Sequence, residues 1–198
     1  MQFVDECERP INIDVQEVEE QEQAREFITP DCVVLELGAR YGTVSCIINR
    51  KLANPFHQVS VEPDEAVWKC LHKNRDANGC SFAILKGAIS RVPLHVTRSG
   101  YGTTTNPRGT SNTYTYTLEQ VEAMYQLRFN TLVADCEGSL GRFFAENPKL
   151  FDQLNLIILE ADVPEWTDYN ALYSSFRAHG LTQIVPGFRQ VWKRLEVG

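Results

Sequence analysis

The sequence predicts an α/β fold: a mostly parallel sheet with helices on both faces, closed by an antiparallel hairpin. Three observations carry that expectation. Short apolar runs alternate with helical patterns from Val33 to His179, and strand–helix–strand alternation implies parallel strands covered on both sides. The stretch LTQIVPGFRQVWKRLEV holds two strand-like runs joined at Pro186-Gly187 with no room for a helix, so only a hairpin can connect them. The chain has 198 residues, 43% hydrophobic and 23% charged. That suits one domain, large enough to bury about 70% of its unfolded surface.

The elements follow in order. Asp14 to Ile28 is acidic with a sparse apolar stripe of Val15, Val18 and Phe27. It reads as a helix lying on the domain, stopped by Thr29-Pro30-Asp31, so residues 1–30 form an N-terminal helical extension. Val33 to Leu37 is a buried-strand run, and Thr43 to Lys51 is helical. His57 to Glu62 is a second strand. Asp64 to Asn78 is a helix with Val67, Trp68 and Leu71 on one face, ended by Gly79. A third strand begins with Phe82 to Leu85, a fourth spans Thr131 to Asp135 and a fifth spans Leu154 to Glu160. A helix from Asp168 to His179 ends at Gly180. With the hairpin this gives a seven-stranded sheet in a single domain of residues 1–198. Residues 97–117, TRSGYGTTTNPRGTSNTYTYT, break the rhythm and are too polar for core. A long loop in a compact domain is usually functional or disordered, and this one is expected to face a substrate. Its TYTYT end could instead be an exposed strand.

Composition narrows the function. A net charge of -7 disfavours an extended nucleic-acid track. No apolar run reaches the roughly 18 residues of a membrane span. The start, MQFVDECERPINID, has no basic region followed by an apolar stretch, so no secretory signal is expected. The six cysteines include no C-x-x-C pair; they read as reduced thiols of a cytoplasmic protein.

The informative stretch is VVLELGARYGTVSCIINR, Val33 to Arg50. In open α/β sheets, ligands sit beyond the carboxyl ends of the strands. Gly38 directly follows the first strand, where glycine lets the chain turn and a ligand approach the backbone. Gly42 opens the helix, near its free N–H groups. A diphosphate would want a lysine as well. This loop instead has Glu36 before it and Glu62 ending the next strand, 20 residues after Gly42. An acid at that second place takes the ribose hydroxyls of a nucleoside. Acids on both strands disfavour a polyphosphate and suit a ligand with a ribose and a positive centre.

On these residues the sequence resembles the class I S-adenosylmethionine-dependent methyltransferases, which are Rossmann-like. LELGARYGTVS is similar to their glycine-rich first motif and VSVEPDEAVWKCLHKN to their acidic second one. ILKGAIS, YTLEQV, FNTLVADCEGSLGRFF and LIILEAD then follow the order seen in the FkbM-like branch, with its Asp-x-Glu-Gly at Asp135 to Gly138 and an acid at Glu160. The resemblance covers about Asp31 to Asp162 and implies S-adenosyl-L-methionine as cofactor. It implies that Gly38, Ala39 and Gly42 line the methionine end, Glu62 binds the ribose diol, Pro63 flanks it, and Gly87 and Ala88 pass the adenine edge. Glu36, where many relatives have Asp, and Tyr41 complete the set. Arg40 and Tyr41 are bulky for this loop.

Methyl transfer requires an acceptor atom roughly 3 Å from the methyl and help in removing its proton. Asp135, Glu160 and Asp162 end the fourth and fifth strands and would converge if those strands are neighbours. One of them could be a general base; His95, after the third strand, is a further candidate. Alternatively Asp135, Glu160 and Asp162 hold Mg²⁺, which lowers the pKa of a bound hydroxyl; the metal-free case is the expected one. Glu137 could simply cap the helix beginning at GSLGRFF.

The FkbM-like resemblance points to O-methylation of a small molecule or glycan, above all a sugar. Arg98, Tyr101, Arg108, Tyr114 and Tyr116 in the long loop are candidate acceptor contacts. The alternatives are a methyltransferase for protein or other small molecules, and an inactive nucleoside-binding module. A nicotinamide oxidoreductase ranks low, because GARYG lacks the Gly-x-Gly-x-x-Gly spacing. The short lead before the first strand leaves the acceptor site to loops or to a second subunit, so a homodimer is one expected arrangement.

Overall fold

The structure, a computed structural model, describes residues 1–195. The chain runs α1 (Val18–Phe27), β1 (Val34–Leu37), α2 (Thr43–Lys51), β2 (Gln58–Glu62), α3 (Trp68–Ala77) and β3 (Ala83–Lys86). The short strands β4 (Ala88–Ile89), β5 (His95–Thr97), β6 (Thr104–Asn106) and β7 (Thr115–Tyr116) follow. Then come α4 (Leu118–Tyr125), β8 (Thr131–Ala134), α5 (Leu140–Glu146), β9 (Leu156–Glu160), α6 (Tyr169–Ala178), β10 (Leu181–Val185) and β11 (Arg189–Arg194).

Seven strands form one sheet in the order β10-β11-β9-β8-β1-β2-β3. Its pairs are parallel from β3 through β9, and β11 runs antiparallel to both β9 and β10. The predicted hairpin is therefore present through Arg194; the part of the expected run at Glu196 and Val197 lies outside the described residues. The sheet grows outward from β1 to β3 and then returns to place β8 on the other side of β1. This reversal between β1 and β8 is the switch point at which open α/β sheets leave a crevice.

Strand alternation divides the core. Val34, Val133, Ile158 and Val191 pack with Ala24, Ile28, Ile47 and Ile48 of the α1–α2 layer. Leu35, Leu132, Ile157 and Trp192 pack on the other face with Val121, Phe143, Phe144 and Phe176 from α4, α5 and α6. Successive side chains on a strand point to opposite faces, so Glu36 shares the face of Val34.

The structure adds to or departs from these expectations at three places. The first helix begins at Val18, after Glu17, which takes a left-handed conformation (φ 52). Its buried residues are Glu20, Gln21, Gln23 and Ala24, while Val15 is 67% exposed. The helix thus lies down on a partly polar flank whose side chains bond to backbone, Gln21 locally to the carbonyls of Ile13 and Gln16 and Gln23 across the fold to that of Arg189. Residues 97–117 are partly ordered as strands, since β5 pairs β6 and β7 pairs β4. Finally, α4 follows immediately on that segment. Its start is set by a capping box in which Thr117 and Gln120 exchange hydrogen bonds with each other's backbone.

Among the described residues no helix is long and apolar enough to cross a membrane.

Candidate active site

A cleft opens beyond the carboxyl ends of β1, β2 and β8, with a volume of about 750 Å³ counting its open mouth. Gly38, Glu62, Pro63, Ala88 and Asp135 line it, with Glu17, Arg40, Tyr101, Thr105, Glu137, Arg142 and Phe143. A smaller cavity beside it is bordered by Glu17, Glu36, Ala39, Asp135 and Glu160. Gly38 and Asp135 border both spaces.

The floor of the cleft requires glycine at Gly38. Its φ is +89, and a Cβ there would lie 1.7 Å from the carbonyl oxygen of Asp135. Only a residue without a side chain allows the end of β1 to pass this close to the end of β8. Gly42 serves as N-cap of α2 at φ 80.

Glu62 ends β2 almost wholly buried, at 4% exposure. Its carboxylate accepts from the backbone N–H of Arg40 at 2.7 Å and of Asp64 at 2.8 Å. Burial pushes its pKa up to about 7, and those two N–H groups pull against the shift. Asp64, not Glu62, caps the following turn by accepting from the Ala66 N–H. Glu62 remains an acceptor with spare lone pairs, facing the cleft beside Pro63 and Ala88.

The other expected cofactor residues separate. Glu36 is buried between β1 and α2 and accepts hydrogen bonds from Ser60 and Gln58; burial raises its pKa. It borders the small cavity and not the main cleft. Tyr41 points toward the N-terminal segment, donating its hydroxyl to Glu6 at 2.6 Å. Gly87 lies under the backbone of Tyr114, whose carbonyl would be 2.5 Å from an added Cβ.

The acids at the ends of β8 and β9 form two groups that meet at Asp135. On one side are Asp135, Glu137 and Asp162; on the other are Glu20, Asp135 and Glu160. Burial first, then Glu160, Glu17, Asp162 and Glu137, raise Asp135 well above the usual carboxylate range. Burial raises Glu160 to about 8, although Arg189 opposes the shift. The Arg189 Nη2 lies 2.8 Å from Glu160 Oε2, and the same guanidinium pairs with Glu20. That positive charge makes the Glu20 side a poor seat for a cation. Asp162 is 5% exposed. Its Oδ1 accepts from the Gly138 N–H at 2.7 Å and the Tyr169 hydroxyl at 3.1 Å. Its Oδ2 is buried with no partner among the described residues. A hard cation such as Mg²⁺ therefore fits the Asp135–Glu137–Asp162 side better. Glu137 does not cap α5, whose N-cap is Ser139.

The long loop reaches the cleft through Tyr101, Thr103 and Thr105. Arg98 turns away and binds Asp64 at 2.6 Å, and Tyr114 stacks on Trp68. His95 is held in the β5–β6 ribbon, with Nδ1 2.7 Å from the Thr110 carbonyl; it does not line the cleft. A shallow groove continues outward past Thr105, Ser139 and Arg142 to Arg108 and the half-exposed Trp166. Glu17, Arg142, Phe143 and Trp166 were not singled out from the sequence. Arg142 and Phe143 lie inside the quoted GSLGRFF, but Glu17 reaches the cleft through the docking of α1, and no local spacing signals it.

No family profile and no curated protein matches the sequence. Solved structures do. A candidate tRNA (m1A22) methyltransferase from Streptococcus pneumoniae, in complex with S-adenosyl-L-methionine, superposes with a TM-score of 0.54 at 13% identity, covering 91% of this chain and 75% of that one. The N-terminal domain of EvdMO1 with S-adenosylhomocysteine (SAH) bound gives 0.54 at 13% identity, over 89% and 81%. The ribosomal protein L11 methylase of Lactobacillus delbrueckii subsp. bulgaricus gives 0.53 at 12% identity, over 91% and 79%. At this identity the likeness establishes the fold, a Rossmann-like α/β sheet that this chain shares with these methyltransferases.

Proposed function

We propose that the chain is an S-adenosylmethionine-dependent O-methyltransferase acting on a hydroxyl of a small molecule or glycan, above all a sugar, and that it is FkbM-like. The observation that carries the reading is one cleft with two differently built sides. Gly38 and the buried carboxylate of Glu62 sit on one side, and Asp135, raised in pKa, sits on the other. The residues fit the donor. Gly38 admits a ligand against the backbone, Glu62 offers acceptor lone pairs to a ribose diol, and Pro63 and Ala88 give apolar walls for an adenine. Bound there, the donor supplies an electrophilic methyl group on a sulfonium.

The remaining work belongs to the chain's own groups. Asp135 is the candidate base: it borders the cleft, and burial and the neighbouring acids raise its pKa, which makes its carboxylate a stronger proton acceptor. Glu160 and Asp162 keep that pKa high by repulsion, and with Mg²⁺ present Asp135, Glu137 and Asp162 would be its ligands. Phe143 and Leu94 exclude water from one wall. The acceptor would enter along the groove of Trp166, Arg108 and Arg142. An exposed indole suits the C–H face of a sugar, and the arginines and Thr105 suit its hydroxyls. EvdMO1, a fold neighbour, was crystallised in the presence of SAH and D-fucose, which supports a sugar-sized acceptor. Other neighbours carry names for RNA and protein methylation, and the net charge of -7 weighs against RNA here.

The test is incubation with labelled donor and a panel of free and linked sugars, read by mass. The expected result is one methyl group gained on a hydroxyl. Donor binding with methylation of protein alone would replace the sugar reading, and binding without any transfer would favour an inactive nucleoside-binding module.

A further inference from the structure

The amino-acid end of a methionine-type ligand carries an ammonium and a carboxylate. The backbone N–H groups of Gly38 and Ala39 already donate to the Val61 carbonyl and that of Gly42 to the Ala39 carbonyl, so the main chain at these positions has no N–H left for the carboxylate. The loop's own acid, Glu36, is turned into the α1–α2 layer and held by Ser60 and Gln58. Two charged side chains instead line the cleft near this end, one from outside the sheet loops. Glu17 precedes α1 and borders both the main cleft and the small cavity, together with Gly38 and Asp135. The Thr43 hydroxyl donates to its Oε2, orienting a carboxylate that keeps lone pairs for another donor. Arg40 lines the same cleft at 8% exposure. Its Nη2 donates to the Tyr41 hydroxyl at 3.0 Å and its Nη1 lies 3.8 Å from Asp64 Oδ2, while its buried Nε has no hydrogen-bond partner among the described residues. A buried guanidinium donor left unpaired is costly unless a ligand meets it.

We propose that Glu17 and Arg40 form a side-chain clamp for the α-amino-acid end of the cofactor, Glu17 receiving its ammonium and Arg40 its carboxylate. This rests on the methyl-donor reading above and deepens it. The backbone supports the assignment. Six described non-glycine residues have positive φ, and Glu17 (52), Arg40 (43) and Glu137 (48) all border this one cleft. Left-handed backbone at such residues is strained and gathers where a ligand is gripped. Burial pushes the Glu17 carboxyl up to about 7, and the Thr43 hydroxyl and the nearby Arg40 charge work against that shift, as a ligand ammonium would. The bulk of Arg40, unusual for a glycine-rich loop, then has a purpose. The N-terminal extension becomes part of the cofactor site.

Three probes separate the two charges in calorimetric titrations. SAH carries both ends. Its decarboxylated form, S-adenosyl-3-thiopropylamine, keeps only the ammonium. 5′-Methylthioadenosine keeps the nucleoside and has neither. Charged hydrogen bonds predict a loss of about ten- to hundredfold per contact. Glu17→Gln is expected to weaken SAH and its decarboxylated form by that factor, and 5′-methylthioadenosine by less than twofold. Arg40→Gln is expected to weaken SAH alone. Unchanged 5′-methylthioadenosine binding also shows that each variant is folded. Equal weakening of all three probes by Glu17→Gln would make Glu17 a structural residue and overturn the clamp. Tighter binding by that variant would make Glu17 a plug and overturn it equally. If wild type binds SAH no better than 5′-methylthioadenosine, the clamp fails while the cofactor reading stands. If wild type binds none of the three, the cofactor reading itself falls, and the clamp with it.

Discussion

Glu62, the last residue of β2, and Asp162, two residues past β9, are both buried carboxylates at the carboxyl ends of strands, yet they are held differently. Both oxygens of Glu62 accept backbone N–H groups, from Arg40 and Asp64. Asp162 has one oxygen satisfied, by Gly138 and Tyr169, and one buried without a partner. The same contrast divides the cleft. The β1–β2 side is preorganised by glycine and backbone donors and suits recognition. The β8–β9 side gathers Asp135, Glu137 and Asp162 in one group, with Asp162 Oδ2 buried and unpartnered among the described residues, which suits proton transfer or a cation. Full satisfaction fixes a geometry, whereas under-satisfaction stores a tendency to bind a proton or a positive charge.

The largest effect should come from the recognition side. Gly38→Ala puts a methyl on the Asp135 carbonyl. It should destabilise the fold by about 4 kcal/mol or more and abolish SAH binding, measured by thermal unfolding and titration. Next, Glu62→Gln sets an amide N–H against one of two backbone donors. It should cost about 1–3 kcal/mol of stability and weaken SAH about a hundredfold. A tolerated Gly38→Ala would break the contrast at its root.

pH separates the two sides further. Glu17 and Glu62 titrate at about 7 and Glu160 at about 8 in the folded chain, against an ordinary 4.5. An acid whose folded pKa is raised stabilises the fold fully below its unfolded pKa and loses that contribution as pH rises through the folded pKa. The ligand-free protein should therefore lose about 5 °C or more of melting temperature between pH 5 and pH 8.5. SAH affinity should move oppositely, falling as pH drops below about 7, because binding uses the ionised forms of Glu17 and Glu62. The groups facing them are Arg40, Glu20, Glu36 and Thr43 around Glu17, and Arg40 and Asp64 around Glu62. The smallest effect belongs to Asp162→Asn. Its amide would give Asp135 or Glu137 a donor, raising the ligand-free stability by about 1 kcal/mol at pH 8 while lowering methyl transfer.

The sheet was legible because its signals are local. Apolar runs bounded by Gly and Pro marked β1, β2, β8 and β9, and Pro186-Gly187 marked the hairpin. The helix α2 appears at its expected bounds, Thr43–Lys51. Helix α4 was readable from Thr117 and Gln120, a capping pair that directly follows the polar loop. The site was legible only where chain order fixes place. Gly38 and Glu62 must reach the strand ends, and Asp135 follows β8. Strand parity, which turns Glu36 to the α1–α2 face, was available from the alternation of Val34 and Leu35 but has to be applied residue by residue. Glu17 and Trp166 reach the cleft and its groove through tertiary docking, which no spacing records. His95 looked well placed after β3, but the ribbon of β5 and β6 carries it away.

The most direct measurement is calorimetric titration of the wild-type chain with SAH at pH 8, where Glu17 and Glu62 are ionised. The expected result is saturable binding in the micromolar range, with one site per chain. A cooperatively folded chain that gives no binding signal would contradict the central claim that this cleft is built to hold a methyl donor.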